Sequence, residues 1–216
     1  LKETESWQVG PGRWYVTRRN TLPNTGRSLR VALHGRTHSA WLYSATEVEI
    51  LTDEQLGEHP FLRKLGPDIL DSTLQPADIC MRLESQRFQR RTLAALYLDQ
   101  AFLAGVGNYL RSEILFAARL HPGVRANDLD RRERQRLARA TLTVSRRAYV
   151  LGGVTVTPKL MQSLKRAGQR YGQYRHWVFA RHGEPCRRCT TAVQRRLVAG
   201  RAVFVCPACQ PPACRS

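Results

Sequence analysis

The sequence predicts an α+β protein of several domains, with antiparallel strands first, helices next and a cysteine-containing β-hairpin last. Three observations support this prediction. β-Forming residues alternate with polar ones over residues 14–51, apolar residues recur at helical spacing over 76–148, and four cysteines stand in two Cys-x-x-Cys pairs near the C-terminus. The 216 residues are 42% hydrophobic and 24% charged, which is ordinary for a folded protein and argues against wholesale disorder.

Four short strands are predicted in the N-terminal part, over residues 14–17, 29–33, 41–43 and 48–51. Turn-forming residues at 22–26 and 34–36 connect them, so we predict a meander in which each strand pairs with the next along the chain. Such a sheet leaves one face without a covering layer. We therefore expect the chain to contain only part of an N-terminal β domain.

Helical patterns follow the strands. The motif Thr52-x-x-Gln55 predicts a capping box, and Pro60 and Gly66-Pro67 predict a linker. The predicted helices cover 76–84, 92–103, 109–119 and a longer stretch that starts at Asn127 or Asp128 and ends at Gly152-Gly153.

Several side chains are predicted to be buried by these helices. The last helix turns four residues inward, namely Leu137, Thr141, Val144 and Ala148. Cys80 lies among apolar positions of the first helix and is predicted to be a buried small side chain. Residues 160–173 are basic and less periodic, and we expect a loop or a short helix there.

Positive charge is concentrated in one part of the chain. The sequence has 35 Lys+Arg against 17 Asp+Glu, a formal net charge of +18. Residues 1–85 hold 10 basic and 11 acidic residues, so the 25 basic and 6 acidic residues of 86–216 account for the whole excess. An arginine-rich coding bias would raise the arginine content everywhere and does not explain this asymmetry. A polyanion that contacts one part of the protein does, and nucleic acid is the first candidate.

The same sequence argues against membrane and secreted classes of protein. No apolar run approaches the roughly 18 residues of a membrane span, and the first residues resemble no signal peptide. The basic stretches do not lie opposite a bulky apolar face, so an anionic membrane is a weaker partner than nucleic acid. We expect no membrane partner and a cytoplasmic location, where cysteines stay reduced and more often bind metal.

Four cysteines have the spacing of a tetrahedral metal site: Cys186-x-x-Cys189 and, after sixteen residues, Cys206-x-x-Cys209. Two-residue spacing lets each pair hold one side of a Zn²⁺ ion, and we predict one structural Zn²⁺. Two disulfides are the alternative.

The segment between the cysteine pairs is predicted to form a β-hairpin over 193–205, with Ala199-Gly200 at its turn. Arg201 then stands at the hairpin tip, where an arginine suits a phosphate or a base edge. Cys214 lies in a proline-rich tail and is predicted not to be a metal ligand.

A second motif, Gly105-x-Gly107-Asn108, predicts an anion-binding turn between two helices. Glycines allow the backbone to approach a ligand closely, and the free N–H groups of the following helix face outward with the Asn108 amide as a further donor. The alternative is a plain glycine turn between packed helices, with Asn108 as the N-cap.

Two polar residues flank this motif, and neither Gln100 nor Glu113 is assigned a catalytic role. Glu113 lies one turn into the second helix, where its carboxylate either orients neighbouring polar groups or pairs with an arginine. His121 and His176 show no metal-ligand spacing and are predicted to be structural or surface residues.

The run 99–113, followed by Gly183-Glu184-Pro185 and the cysteine pairs, resembles the formamidopyrimidine-DNA glycosylase/endonuclease VIII family, and its endonuclease VIII branch in particular. Residues 42–47 and 66–68 add to the resemblance, which extends over nearly the whole chain. It implies an N-terminal β-sandwich, a helix-two-turns-helix domain and a C-terminal zinc finger. It also implies a set of DNA-binding residues: Asn108, Arg201, Gly105 and Gly107.

The resemblance implies an enzyme of base-excision repair. It would be a bifunctional DNA glycosylase and abasic-site lyase that removes oxidised bases, mainly pyrimidines, and nicks the strand by elimination. The expected partner is double-stranded DNA containing oxidised bases or abasic sites, bound by a monomer. By analogy with the family, the expected domains are a β-sandwich remnant (1–56), a linker (57–75), the helix-two-turns-helix domain (76–173) and the zinc finger (174–216).

The catalytic residues of the family have no counterpart in this sequence. The family's nucleophile is the amine of an N-terminal proline, helped by an adjacent Glu and an upstream Lys, whereas this chain starts with Leu1 and Lys2 does not match that Lys. Glu3 is a poor substitute for the apolar wedge of the family. We therefore expect the chain by itself only to bind damaged DNA. The alternative function is that of a non-catalytic, zinc-containing DNA-binding protein.

Overall fold

The computed structural model describes residues 6–7 (backbone only), 13–45, 48–198 and 200–212. Residues 46–47 and the sequence expectations for Leu1, Lys2, Glu3, Ala199 and Cys214 fall outside this set. The chain folds into two compact units, Leu1–His59 and Pro60–Ser216. The boundaries expected for four domains remain predictions.

The N-terminal unit is built on an antiparallel sheet. Its strands are β1 (Ser6–Trp7), β2 (Arg13–Arg18), β3 (Leu29–His34) and β4 (His38–Tyr43), in the order β1-β2-β4-β3. The predicted meander is wrong, because β2 pairs with β4 and not with β3. A three-residue connection favours a local β3–β4 hairpin, whereas the ten residues between β2 and β3 are long enough to cross β4.

The end of the N-terminal unit differs from expectation in one place. Residues 48–51 were predicted to be a strand, but their described backbone is irregular and Ile50 is 98% exposed. Alternating apolar residues form a strand only where one face can be buried, and this segment has no such face. The capping box is confirmed, since Thr52 and Gln55 bond each other's backbone N–H groups at the start of α1 (Asp53–Glu58).

The C-terminal unit contains the remaining helices. They are α2 (Pro76–Glu84), α3 (Leu93–Leu96), α4 (Asn108–Ala117), α5 (Arg131–Val150), α6 (Pro158–Arg166) and α7 (Tyr171–Tyr174), with 3₁₀ turns at Leu62–Lys64 and Ala126–Asp128. The two short helices α6 and α7 occupy the segment predicted to be a loop or short helix. No helix in the described part of the chain is long and apolar enough to cross a membrane.

Two helix boundaries correct the sequence predictions. The helix predicted over 92–103 ends at Leu96, because the Asp99 carboxylate accepts a hydrogen bond from the N–H of Ala101 and the chain turns there. The long helix is capped by Asp130, whose side chain accepts from the Glu133 N–H, and not by Asn127 or Asp128. Asp130 is the better cap because Glu133 closes a reciprocal capping box with it.

Helices α2 to α5 enclose one apolar core. The four inward residues predicted on α5 are all buried, and Thr141 satisfies its hydroxyl by bonding Tyr97 at 2.7 Å. Cys80 packs beside this core as predicted, but its burial is only partial. The linker packs closely too, since a Cβ on Gly66 would lie 2.6 Å from the carbonyl oxygen of Phe102.

The C-terminal cysteine module consists of a two-stranded ribbon and two turns. Strands β5 (Gln194–Val198) and β6 (Arg201–Val205) form the predicted hairpin, and Gly200 in its turn has a φ of +75°. The module is seated on α4 through an apolar cluster that includes Phe116, Val178 and Phe204.

Candidate nucleic-acid interface and metal centre

The four cysteines of the two pairs converge in the structure. Their Sγ atoms all lie within 4.8 Å of one another. Individual Sγ–Sγ distances are 3.4 Å for Cys189–Cys206, 3.5 Å for Cys189–Cys209 and 4.0 Å for Cys186–Cys209. A disulfide needs about 2.05 Å, so these cysteines are not paired with one another. Four thiolates about 2.3 Å from a central ion would stand about 3.8 Å apart, so the cluster has the dimensions of a tetrahedral metal site.

The four thiols do not ionise equally easily in the absence of a cation. Hydrogen bonds from the side chain and backbone of Thr191 lower the pKa of Cys189 to about 6. Burial raises the pKa of Cys206 and of Cys209, so these two thiols resist ionisation next to other sulfur atoms. A divalent ion at the centre offsets that cost, because the thiolate is the form that binds metal.

The loop before α4 is shaped by Gln100. Its side-chain oxygen accepts from the N–H of Gly105 at 2.9 Å, and its amide donates to the carbonyl oxygen of Val106 at 3.0 Å. Gly105 has a φ of +88°, a conformation that side chains disfavour, and a Cβ there would lie 3.1 Å from Ile69. Gln100 therefore fixes the turn from which α4 starts.

The N-terminus of α4 differs in detail from the sequence expectation. The N-cap is Gly107, and Asn108 is the first helical residue, so the alternative with Asn108 as N-cap is wrong. The first N–H groups of a helix have no intrahelical partner and carry the positive end of its dipole. The Asn108 side chain does not cap the helix and makes a different contact.

That contact is made by Arg111, which sequence analysis did not single out. Its guanidinium donates to Asn108 Oδ1 at 2.6 Å, to the Ala202 carbonyl oxygen at 2.9 Å and to the Ala94 carbonyl oxygen at 3.0 Å. Arg111 is fully buried, and burial, followed by the charge of nearby Arg201, lowers its pKa to about 10. One side chain thus joins the start of α4 to the hairpin residue that follows Arg201.

Glu113 anchors the other side of α4. It is fully buried and accepts hydrogen bonds from the backbone N–H groups of Trp177, Val178 and Phe179 at 2.8–2.9 Å, as well as from the Thr155 hydroxyl. The first of the two predicted roles, orientation of neighbouring polar groups, matches this geometry. The carboxylate fixes the segment that leads into the cysteine module.

His176 lies beside this network. Its Nδ1 is 3.3 Å from Thr155 Oγ1, and burial, followed by the charge of Arg175, lowers its pKa to about 3. Since the Thr155 hydroxyl donates to Glu113, it accepts from a neutral His176 protonated on Nδ1. His176 is a structural residue, as predicted. His121 is half-buried at the surface and bonds Arg196.

A cavity of about 310 Å³ lies beside Asn108. Tyr109, Arg175 and Phe179 line it, and the Arg175 guanidinium stacks over the Tyr171 ring at 4.7 Å. Aromatic rings and arginine together are suited to stacking on bases and to contacting phosphates.

Further polar contacts seat the cysteine module on the helices. Ser112 Oγ accepts from the N–H of Phe204 at 3.3 Å, and Gln210 bonds both the N–H of Cys206 and the carbonyl oxygen of Leu120. The structure therefore brings the Gly105-x-Gly107-Asn108 turn and the hairpin tip with exposed Arg201 to the same part of the C-terminal unit. Arg111 and Gln210 were missed, although a charged residue three positions after Asn108 in an apolar stretch was a visible signal.

Comparison with known proteins gives a consistent result. The family model described as the formamidopyrimidine-DNA glycosylase H2TH domain matches residues 65–159. Endonuclease 8 of Pectobacterium atrosepticum is 40% identical over 199 residues, and Endonuclease 8 of Escherichia coli is 42% identical over the same length. Each alignment covers 92% of this chain and 72% of the relative.

Solved structures with the same fold include MutM in complex with DNA containing carbocyclic 8-oxo-G (TM-score 0.71, 22% identity). Another is Lactococcus lactis Fpg in complex with DNA containing an abasic site (TM-score 0.72, 21% identity). Each structural alignment covers 94% of this chain and 72% of the matched chain. At 21–22% sequence identity, these two similarities show a shared fold only. An identity of 40–42% to Endonuclease 8 across 92% of the chain goes further. The chain belongs to the formamidopyrimidine-DNA glycosylase/endonuclease VIII family, on its endonuclease VIII side.

Proposed function

We propose that the protein acts in DNA base-excision repair as a glycosylase that removes oxidised bases, mainly pyrimidines, and as a lyase that nicks the strand at the resulting abasic site. Its Endonuclease 8 relatives support the activity. The DNA-bound MutM and Fpg structures, which share its fold, support double-stranded DNA with oxidised or abasic sites as the partner. The relatives are bacterial, and we place the protein with the chromosome in the cytoplasm.

One observation carries the proposal for DNA binding. The Arg111 guanidinium bonds both Asn108 and Ala202, so the start of α4 and the hairpin tip form one surface. On this surface the Asn108 amide, the first N–H groups of α4 and the Arg201 guanidinium bind backbone phosphates beside the lesion. Gly105 and Gly107 have no side chain to keep the backbone away from the DNA. At Gly107 the space beside Cα is open, since a Cβ there would meet no protein atom within 4 Å.

The reaction requires the damaged base to leave the stack. In the family, the amine of an N-terminal proline, which residues 1–216 do not supply, then displaces the base at C1′ of its sugar and forms an iminium with the opened sugar. Loss of a proton from C2′ expels the 3′ phosphate and nicks the strand. The part of this chain described by the structure serves this reaction by holding the phosphates, and so the exposed nucleotide, in place.

The metal of the cysteine cluster is proposed to be one structural Zn²⁺, held by Cys186, Cys189, Cys206 and Cys209. All four positions of a tetrahedral ion are then taken by sulfur, so the ion has no open site for chemistry. It supplies folding free energy to a small module and keeps the hairpin with Arg201 rigid.

Binding to a duplex with one tetrahydrofuran abasic analogue tests the DNA surface, with fluorescence anisotropy as the readout. We expect N108A and R201A each to weaken binding about tenfold, and R201A to reduce the slope of log K against log salt by about 1. R132A removes an exposed arginine from the outer side of α5 and is the matched control, with an expected change under about twofold. Unchanged affinity in both N108A and R201A would contradict the proposed surface.

The catalytic part needs a separate test. Residues 1–216 alone are expected to bind lesion DNA without reacting, so the test uses the protein as its own cell makes it. Borohydride reduction should then trap a covalent complex with DNA that contains an oxidised pyrimidine, and gel electrophoresis should show the nicked strand. Tight binding of lesion DNA without trapping or nicking would instead favour the alternative of a non-catalytic, zinc-containing DNA-binding protein.

A further inference from the structure

Arg111 is a buried cation without an anionic partner. Its side chain is 0% exposed, and in the described part of the chain no carboxylate lies within salt-bridge distance. Three neutral oxygens accept its hydrogen bonds, and its Nε has no partner. Burying a charge is costly unless an opposite charge compensates it, so this arrangement points to an anion that the protein itself does not supply.

The first consequence of Arg111 concerns the Asn108 amide. An asparagine side chain has one accepting end and one donating end, and free rotation lets either one face a ligand. Arg111 is a pure donor and holds the accepting end, Oδ1, at 2.6 Å. The donating end, Nδ2, therefore points away from Arg111, and no acceptor within the described ranges bonds it.

The second consequence concerns Arg201. The same terminal nitrogen of Arg111 that bonds Asn108 also bonds the carbonyl oxygen of Ala202, the residue after Arg201. This bond fixes the hairpin tip relative to α4. The charge of Arg201 acts on Arg111, so two cations lie near the Asn108 amide, and neither arginine forms an ion pair with any described carboxylate.

We propose that Arg111 is the positioning residue of the DNA-binding surface: it turns the donating end of Asn108 toward the phosphate, holds Arg201 beside it and receives its counter-charge from that phosphate. This inference rests on the proposed function, because Asn108 and Arg201 are phosphate ligands only if that function holds. Arg111 itself does not touch the DNA, since its side chain is fully buried.

The principal test is the coupling between Arg111 and the two ligands, measured as affinity for the tetrahydrofuran duplex. R111K keeps the charge, but its single ammonium cannot replace the planar fork that bonds two elements at once. We expect R111K to weaken binding about tenfold in the wild-type background and less than about twofold in the N108A/R201A background. A merely structural role predicts the same factor in both backgrounds, and that result would overturn the proposal.

R136K is the matched control for the arginine substitution. Arg136 also donates to a backbone carbonyl, that of Ala118 at 2.7 Å. Ala118 directly follows the C-terminal end of α4, whereas Asn108 and Arg111 lie near its N-terminal end. We expect R136K to bind the duplex as the wild type does. The urea midpoint of unfolding and the zinc content of every variant report whether the fold is intact.

A second variant keeps the proposal testable if R111K does not fold. N108D leaves Arg111 in place and offers it a carboxylate, so the free protein should unfold at a higher urea concentration than N108A. The second carboxylate oxygen then takes the place of Nδ2. Because this oxygen is negatively charged and cannot donate to a phosphate, N108D should bind DNA about tenfold more weakly than N108A. Equal or tighter binding by N108D, or no gain in its urea midpoint over N108A, overturns the proposal.

The outcomes separate this inference from the proposed function. If the wild-type protein does not bind the tetrahydrofuran duplex, the proposed function fails. If the wild type binds and N108A and R201A weaken binding, but R111K has the same effect in both backgrounds, only the role of Arg111 fails.

Discussion

Among single residues, His176 shows how strongly the packing of α4 controls protonation. Its ring centroid lies 5.3 Å from those of both Tyr109 and Phe179, and its Nδ1 bonds Thr155. Burial and the nearby charge of Arg175 lower the His176 pKa from 6.5 to about 3, so the folded protein holds a neutral imidazole. The unfolded chain binds a proton on this residue below pH 6.5, and the folded protein does so only near pH 3.

This difference gives the free energy of unfolding a defined pH dependence. The stability that neutral His176 supports is present above pH 6.5 and is lost as the pH falls toward 3. We expect the wild type to lose about 1.4 kcal/mol more than H176F between pH 7.5 and pH 5.5, measured by urea unfolding with zinc in the buffer. Equal losses in wild type and H176F would contradict this account.

Those residues of the candidate site whose chemistry depends on spacing were predictable from the sequence. Two Cys-x-x-Cys pairs define a metal cluster before any fold is known, and the structure brings their sulfur atoms together. The partners of Glu113 were not predictable in this way. Its carboxylate accepts from three backbone N–H groups more than sixty positions away, and a backbone group leaves no signal in the sequence.

At the level of elements, local signals were reliable and long-range pairing was not. Helix α2 starts at Pro76 as predicted, because proline at the first position of a helix acts locally. Helix α3 is shorter than predicted because tertiary contacts of the turn over 99–107 override the helical pattern. The strand order β1-β2-β4-β3 depends on which edge a ten-residue connection crosses, and no residue pattern encodes that choice.

The hairpin of β5 and β6 is the element that depends most on the metal. Strand β6 buries Val203, Phe204 and Val205, but β5 is mostly exposed, and an isolated two-stranded ribbon is marginally stable. We expect C206S, or removal of the metal by a chelator, to abolish the hydrogen-exchange protection of the hairpin amides and to weaken DNA binding at least tenfold. Metal analysis should find one zinc per chain in the wild type and a large loss in C206S.

A matched control for this prediction is C80S, which changes a half-buried thiol outside the cluster. It should keep zinc, hairpin protection and DNA affinity. Amides of α4 and α5 should stay protected in C206S, because their apolar core is separate from the cluster that seats the module. Persistent protection of the hairpin amides in the metal-free protein would show that the ion is not needed for this element.

For the whole molecule, the net positive charge and the candidate site lie in the same unit, residues 60–216. Residues 60–216 hold 28 Lys+Arg and 10 Asp+Glu, while residues 1–59 hold 7 of each. The C-terminal unit therefore carries the full net charge of +18, and the N-terminal unit is formally neutral. The proposed phosphate ligands, their positioning arginine and the metal cluster all lie in the charged unit. Attraction to undamaged DNA should accordingly be a property of that unit.

This distribution predicts how binding to an undamaged duplex depends on salt. Each phosphate contact releases counterions and adds about 0.9 to the slope of log K against log salt, whereas a formally neutral unit adds little. We expect residues 60–216, produced alone, to show a slope within about 1 of that of the whole chain, measured by anisotropy from low to physiological salt. A slope smaller by about 1.8 or more corresponds to two phosphate contacts. It would show that arginines of residues 1–59 also contact phosphates, and that net charge alone does not locate the DNA-binding surface.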